Sequence, residues 1–221
     1  AKGAPEALMN VSNLSENEKL QIKEAILLLA NEGYRVLGVG KSNFEGNDYP
    51  KLQQDLPFEF KGIVAFYDPP KKNIQKVLED FYEAGIDVKI ITGDNAATTG
   101  SIAKQIGFRG YENTISGDEL MQLNETELKQ CVTNTSIFTR MFPEAKLKII
   151  NALKSNDEIV AMTGDGVNDG PALKAAHIGI AMGKKGTEIA KQAASLILLQ
   201  DDLSKMVDAI AMGRKIYTNL K

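Results

Sequence analysis

Residues 158–176 read EIVAMTGDGVNDGPALKAA. The apolar run Ile159–Met162 stops at Thr163, and a loop follows in which Gly164, Gly166 and Gly170 alternate with Asp165, Asn168 and Asp169. Helix formers, Ala172 to Ala176, come next. Gly, Asn and Asp are ordinary turn residues, because they tolerate positive φ or bond their own backbone. Asp169 also reads as an N-cap, since Pro171 favours the first turn of a helix. Taken alone, the loop is a turn. Its meaning depends on what else ends beside it.

The same unit recurs on either side. KGIVAFYD (61–68) reads as a buried strand and KKNIQKVLEDFYEAG (71–85) as an amphipathic helix. IDVKIITGD (86–94) is a strand and NAATTGSIAKQIG (95–107) a helix. Two short helical patterns (117–131) precede the strand SIFTRM (136–141) and the helix PEAKLKIINALKS (143–155). Downstream lie IGIAMG (178–183), a helix near 186–194, the strand SLILL (195–199) and a final helix from Asp201. Strands alternating with crossover helices predict an α/β fold, a Rossmann-like doubly wound parallel sheet covered on both faces. Before Phe58 the rhythm differs. Ser15-x-x-Glu18 is a capping-box signature opening a helix that Gly33 ends, YRVLGVG (34–40) is a strand, and Lys41 to Pro57 reads as a loop.

In a parallel sheet the carboxyl ends of the strands lie side by side, and ligands bind there. Asp68, Thr92–Gly93–Asp94, Arg140 and Thr163–Gly164–Asp165 all follow strands in this reading. Several polar clusters converging on one sheet edge make a site. Carboxylates beside an amide suit a hard cation such as Mg²⁺, which takes oxygen ligands and keeps several waters. Asp165, at the strand tip, is the better ligand candidate, and Asp169 is either a second metal-site carboxylate beside it or a cap. Thr92 and Gly93 offer a hydroxyl and an N–H to phosphate oxygens. Lys146 stands in the first turn after Pro143, where the helix dipole prefers an acid. Its plain reading is a solvated lysine, and its functional one a phosphate counter-charge. Phosphoryl transfer needs little more than this set, apart from a nucleophile.

The bulk composition narrows the classes. With 221 residues, 43% hydrophobic and 25% charged, the chain reads as globular, and its net charge of −3 argues against nucleic-acid binding. Cys131 is the single cysteine, which excludes an internal disulfide and fits a reducing compartment. No apolar run reaches the roughly 18 residues of a membrane helix. The first residue is Ala1, and the opening reads as the interior of a longer chain.

TGDGVNDGPALKAAHIGIAMG, ITGDN, DPPK and KGAPE stand in the order and spacing of P-type cation-transporting ATPases, and the chain most resembles their calcium-pump group. The resemblance covers essentially the whole chain. It implies a haloacid-dehalogenase-like phosphorylation domain over 63–221 and a remnant of a nucleotide-binding domain over 1–62. It implies ATP and Mg²⁺ as cofactors, and as cargo Ca²⁺ or another small cation. Residue by residue, Lys2 matches a lysine lining the adenine pocket and Arg35 an arginine reaching the nucleotide phosphates. Asp68 sits at the hinge between the domains. Thr92, Gly93 and Asp94 match the loop that holds the phosphoryl group and nucleotide, and Arg140 and Lys146 match basic residues near the phosphates. Asp165 matches the Mg²⁺ ligand, with Asn168 and Asp169 completing its loop. His177 matches none of these roles and reads as structural.

One departure is large. The family's nucleophilic Asp-Lys-Thr-Gly-Thr motif does not occur in these residues. The reading is therefore a cytosolic part of a pump, inactive by itself and lacking the first strand and nucleophile loop of its phosphorylation domain. The intact protein would sit in the cell membrane through helices absent here, with this part on the cytoplasmic side. A stand-alone Mg²⁺-dependent phosphatase of the haloacid-dehalogenase type, with Asp68 as nucleophile, is the alternative. Pro70 opposes it, because it occupies the position of that family's general acid/base. A non-catalytic binding module would require all four motifs to be mere turns.

Overall fold

The computed structural model describes residues 1–44 and 49–220. Contacts divide the chain into two compact units, residues 1–69 with 97–102, and residues 70–96 with 103–221.

The first unit is an antiparallel sheet with helices. β1 (Lys2–Gly3), β2 (Arg35–Lys41) and β3 (Glu59–Phe66) lie in the order β1-β2-β3. Two helices precede β2, α1 (Pro5–Asn10) and α2 (Glu16–Asn31). The expected capping box opens α2: Ser15 N–H donates to Glu18 Oε2 at 2.8 Å, and Glu18 N–H to Ser15 Oγ at 3.3 Å. Gly33, at φ 85°, ends the turn after it. Leu8, Met9 and Val36 are buried where α1 covers β2. Residues 97–102 join this unit through side chains, Thr98 Oγ1 donating to Tyr34 C=O at 3.1 Å and Ser101 Oγ to Asn31 C=O at 2.8 Å. Of the expected loop from Lys41 to Pro57, Lys41 closes β2, residues 53–55 form a short 3₁₀ turn, and residues 45–48 lie outside the described residues.

β3 corrects the sequence reading. KGIVAFYD was expected to be buried in the parallel sheet, yet β3 runs antiparallel to β2, Arg35 opposite Phe66 and Val39 opposite Gly62. Val64 is 43% and Phe66 50% exposed. An apolar run fixes strand character but not strand direction, because both ladders accept β-branched and aromatic residues.

The second unit carries the parallel strands. β4 (Ile90–Ile91), β5 (Thr114–Ser116) and β6 (Ile137–Thr139) form one sheet ordered β4-β6-β5, and β7 (Ala161–Gly164), β8 (Ile178–Met182) and β9 (Leu196–Leu198) form another ordered β7-β8-β9. α3 (Ile74–Glu83) precedes β4, and α4 (Ala96–Gln105), whose residues 97–102 belong to the first unit, follows it; α5 (Gly117–Gln122), α6 (Glu125–Asn134), α7 (Pro143–Ser155), α8 (Gly170–Ala175) and α9 (Glu188–Ala193) lie between the later strands, and α10 (Ser204–Leu220) follows β9. Phe138 of β6, Met162 of β7 and Ala181 of β8 belong to one buried cluster with Leu120, Ile149, Ile150 and Leu173. One core therefore lies under both sheets. α5 and α6 open with capping boxes of their own, Ser116 with Glu119 and Asn124 with Glu127. Among the described residues no helix is long and apolar enough to cross a membrane.

Candidate functional site

The polar tips of β4 and β6 are laced together. Thr92 N–H donates to Phe138 C=O, Met141 N–H to Thr92 C=O and Arg140 N–H to Asp94 C=O, each at 2.9 Å. The ladder thus continues past the two-residue β4 into the loop. Within that loop Thr92 Oγ1 accepts from Asp94 N–H at 3.1 Å, a local side-chain turn that competes with further strand pairing. Gly93 is exposed, and Thr92 and Asp94 are half-buried. Arg140 has φ 52°, a left-handed conformation that costs a non-glycine residue about 1–2 kcal/mol. Its fixed N–H and the C=O of Asp94 hold it there, with the Arg140 side chain exposed.

The tip of β7 is organised by Asp169, whose residue is 7% exposed. Asp169 Oδ1 accepts from Lys146 Nζ at 2.6 Å. Oδ2 accepts from Asp165 N–H at 3.2 Å and Gly166 N–H at 3.1 Å. Both side chains of the ion pair are nearly out of water, Lys146 at 12% and Asp169 at 10% exposure. A Cβ added to Gly164 would lie 2.6 Å from the Cβ of Asp169, so only glycine allows the aspartate to fold back under the strand tip. Two expectations change here. Asp169 makes no side-chain cap bond to α8, because its carboxylate serves the strand tip instead. Lys146 is no solvated lysine, because Pro143 starts α7 in a place that aims its first turn at Asp169.

Asp165 and Asn168 stand exposed on this braced loop. Asp165 C=O accepts from Thr187 N–H at 2.8 Å, which ties the loop to the N-cap of α9. The donors present, carboxylate and amide oxygens, are those a Mg²⁺ ion takes, and such an ion needs few protein ligands. Among the described residues no group of three or more His, Cys, Asp or Glu side chains gathers as a metal cage. His177 Nδ1 accepts from Val160 N–H at 3.1 Å, a structural use.

In the first unit Lys2 pairs opposite Val39, and Arg35 lies four residues back along β2. Opposite residues share a face and alternation has period two, so Lys2, Arg35, Leu37 and Val39 line one face, with Phe66 and Val64 beside them. Lys2 and Arg35 are separated by roughly 13 Å along the strand. Asp68 follows the antiparallel β3, not a strand of the parallel sheets.

Asp201 was not singled out by sequence reasoning, which took it only as the start of the last helix. It is 8% exposed, adopts φ 54°, and its carboxylate accepts from Lys184 N–H at 3.0 Å and Lys185 N–H at 2.9 Å. Burial alone would raise its pKa. The N–H groups of Lys184, Lys185 and Gly183 and the charge of Lys71 outweigh that and hold it below the ordinary aspartate value. A left-handed aspartate leaves no mark in the sequence beyond the Asp-Asp pair itself.

The chain is 38% identical over 213 residues to the "Calcium-transporting ATPase 1" of Saccharomyces cerevisiae, across 94% of this chain and 22% of that protein. It is 38% identical over 232 residues to the "Calcium-transporting ATPase" of Bacillus subtilis, across 100% of this chain and 26% of that protein. A third relative, the "Calcium-transporting ATPase type 2C member 1" of Bos taurus, is 38% identical over 210 residues, covering 95% of this chain and 20% of its own length. The chain spans about a quarter or less of the curated relatives it matches. Residues 16–177 match the model of the haloacid dehalogenase-like hydrolases, a match that takes in β4, β6, β7 and the Lys146–Asp169 pair. By that match the chain belongs to the haloacid dehalogenase-like hydrolase family.

Proposed function

We propose that this chain is cytosolic machinery of a P-type cation-transporting ATPase, on the cytoplasmic side of the cell membrane. The observation that carries the reading is the Lys146–Asp169 pair holding the Asp165 loop at the carboxyl end of β7. Residues 63–221 are the phosphorylation domain and residues 1–62 a part of the nucleotide-binding domain. The two parallel sheets support the first assignment. β4 pairs only with β6, and β7 only with β8, among the described residues. A further strand joining those two edges would make one parallel sheet of the two, and Phe138, Met162 and Ala181 already share one buried cluster. That strand would bring the nucleophilic aspartate, whose motif is absent from these residues.

In the reaction Lys146 offers the ammonium donors that Asp169 does not engage to the phosphoryl oxygens. Thr92 and Gly93 offer a hydroxyl and an N–H to the same group, and Arg140 and Asp94 flank it. Asp165, with Asn168 beside it, is the residue to hold Mg²⁺, which supplies charge neutralisation of the phosphoryl group when bound. Asp169 keeps Lys146 and the Asp165 backbone in place. The face carrying Leu37, Val39, Val64 and Phe66 between Lys2 and Arg35 suits an adenine base with a phosphate chain, so ATP is the nucleotide. The relatives' printed names make Ca²⁺ the first cation to test as cargo.

The test is a chimera. This chain replaces the matching segment of the Bacillus subtilis relative, and acid-stable phosphoenzyme is measured from labelled ATP and Mg²⁺. The chimera should label on its supplied aspartate, the Asp165→Asn chimera should not, and the 221-residue chain alone should stay unlabelled. A chimera that reaches the membrane and binds ATP without labelling would refute the proposal. Label on Asp68 of the isolated chain would establish the phosphatase alternative instead.

A further inference from the structure

Hydrogen bonds joined by two short stretches of chain, residues 185–187 and 201–202, lead from the Asp165 loop to the first turn of α10. Asp165 C=O takes the N–H of Thr187 at 2.8 Å. Two residues before Thr187, Lys185 N–H meets Asp201 Oδ2 at 2.9 Å, and Lys184 N–H meets Oδ1 at 3.0 Å. Gly186 lies between these contacts, and a Cβ there would fall 2.0 Å from Met182 C=O, so only glycine lets the loop pass so close. On its other side Asp201 is held through its own C=O, which accepts from Lys71 Nζ. Its neighbour Asp202 accepts through Oδ1 from Ser204 N–H, the first residue of α10, at 3.0 Å and from Asn73 Nδ2 at 3.3 Å.

Asp201 thus stands where three segments meet: the β8–α9 loop, the residues leading into α3, and the root of α10. α10 is the segment with most to transmit. From residue 211 onward every described residue of it is exposed, and the helix contains no buried residue. With each carboxylate oxygen on a backbone N–H group, Asp201 is suited to hold the β8–α9 loop in one place, and aspartate is among the residues that accept the left-handed conformation this needs. We infer that Asp201 is a positioning residue that fixes the β8–α9 loop, and through Thr187 the Asp165 loop, so that a change at Asp165 reaches the root of α10. This rests on the reading of Asp165 given above only for what happens at that residue. The coupling itself lies within the chain.

The experiment is amide NMR on the 221-residue chain, with MgCl₂ as the probe, for the parent, Asp201→Asn and Asp201→Glu. In the parent, Mg²⁺ should shift the amides of Gly166, Thr187 and Ser204 with one common dissociation constant. In Asp201→Asn the Gly166 shift should persist and the Ser204 shift fall several-fold, while Asp201→Glu, which keeps the charge, should restore part of it. Hydrogen exchange at Lys184, Lys185 and Thr187 should become about tenfold faster in Asp201→Asn. An unchanged Ser204 response in Asp201→Asn, with unchanged exchange at Thr187, overturns the inference. If Mg²⁺ shifts no amide, the metal reading of Asp165 fails, and exchange at Thr187 alone decides the coupling. If Asp201→Asn does not fold, an acid titration of the parent decides it. The Thr187 amide should then follow the same midpoint as Lys184 and Lys185, whose N–H groups bind Asp201, and a separate midpoint refutes the coupling.

Discussion

Replacing Lys146 by Met tests the central feature of the site. Methionine keeps most of the apolar stem and removes the ammonium. Asp169, with a side chain 10% exposed, is then left with the N–H groups of Asp165 and Gly166. Removing one partner of a buried ion pair costs about 3–5 kcal/mol when the other charge is stranded. Two remaining donors reduce that, so the expected loss is about 2–3 kcal/mol. Asp169→Asn should cost less, about 1–2 kcal/mol, because the flexible stem of Lys146 can carry its charge toward water while the amide oxygen still accepts one N–H. The double variant should be more stable than the sum of the two losses by about 1–3 kcal/mol. The assay is urea unfolding followed by amide signals from residues 103–220, so that separate melting of the first unit does not enter. A Lys146→Met loss below about 0.5 kcal/mol, which is surface behaviour, or an additive double variant would refute the buried-pair account.

Two other outcomes follow from the same geometry. Asp165→Asn should change stability by no more than about 0.5 kcal/mol, since Lys146 already offsets the charge of Asp169 and leaves little repulsion to relieve; in thermal melts, the rise in melting temperature given by millimolar Mg²⁺ should disappear in that variant, and a parent that ignores Mg²⁺ would end the metal assignment. Asp201 has a folded pKa below its unfolded value, so its contribution to stability is present in full above the ordinary aspartate range and is lost as pH falls through the folded value. Asp201→Asn should therefore flatten the acid side of the stability curve, and an unchanged slope would show that the carboxylate is not held as described.

The sequence was informative wherever the signal is local. α7 begins and ends at the expected residues, Pro143 and Ser155, because proline at the first turn and a polar stop after the last apolar residue define both ends. The Ser15–Glu18 box opens α2 for the same reason. Thr92, Arg140, Lys146 and Asp165 all follow or flank parallel strands, as their spacing predicted. The illegible parts depend on distant partners. β3 was misplaced because strand direction is set by the neighbour, and Asp68 left the parallel sheets with it. The ion pair of Asp169 was not legible because Asp before Gly and Pro reads locally as a metal-site carboxylate or a cap, whereas its partner lies 23 residues upstream. Asp201 stayed hidden because its partners are backbone amides, which every sequence contains.

The two roles suggested for Asp169 by its sequence position, metal ligand and helix cap, both treat it as an outward-facing group. Its partners place it facing inward. One oxygen takes the lysine that reaches the phosphoryl site in the proposed reaction, and the other takes two N–H groups of the loop that presents Asp165. A carboxylate in that position links the placement of a cation to the placement of a metal-binding loop through one rigid group. The geometry also explains the glycine before Asp165. A side chain at position 164 would push Asp169 off both partners at once, so the loop composition that first looks like an ordinary turn is set by the ion pair beneath it. The same reasoning separates Asp165 from Asp169 in any substitution series. Loss of Asp165 should remove chemistry and spare the fold, whereas loss of Asp169 should disturb the lysine, the loop and the fold together.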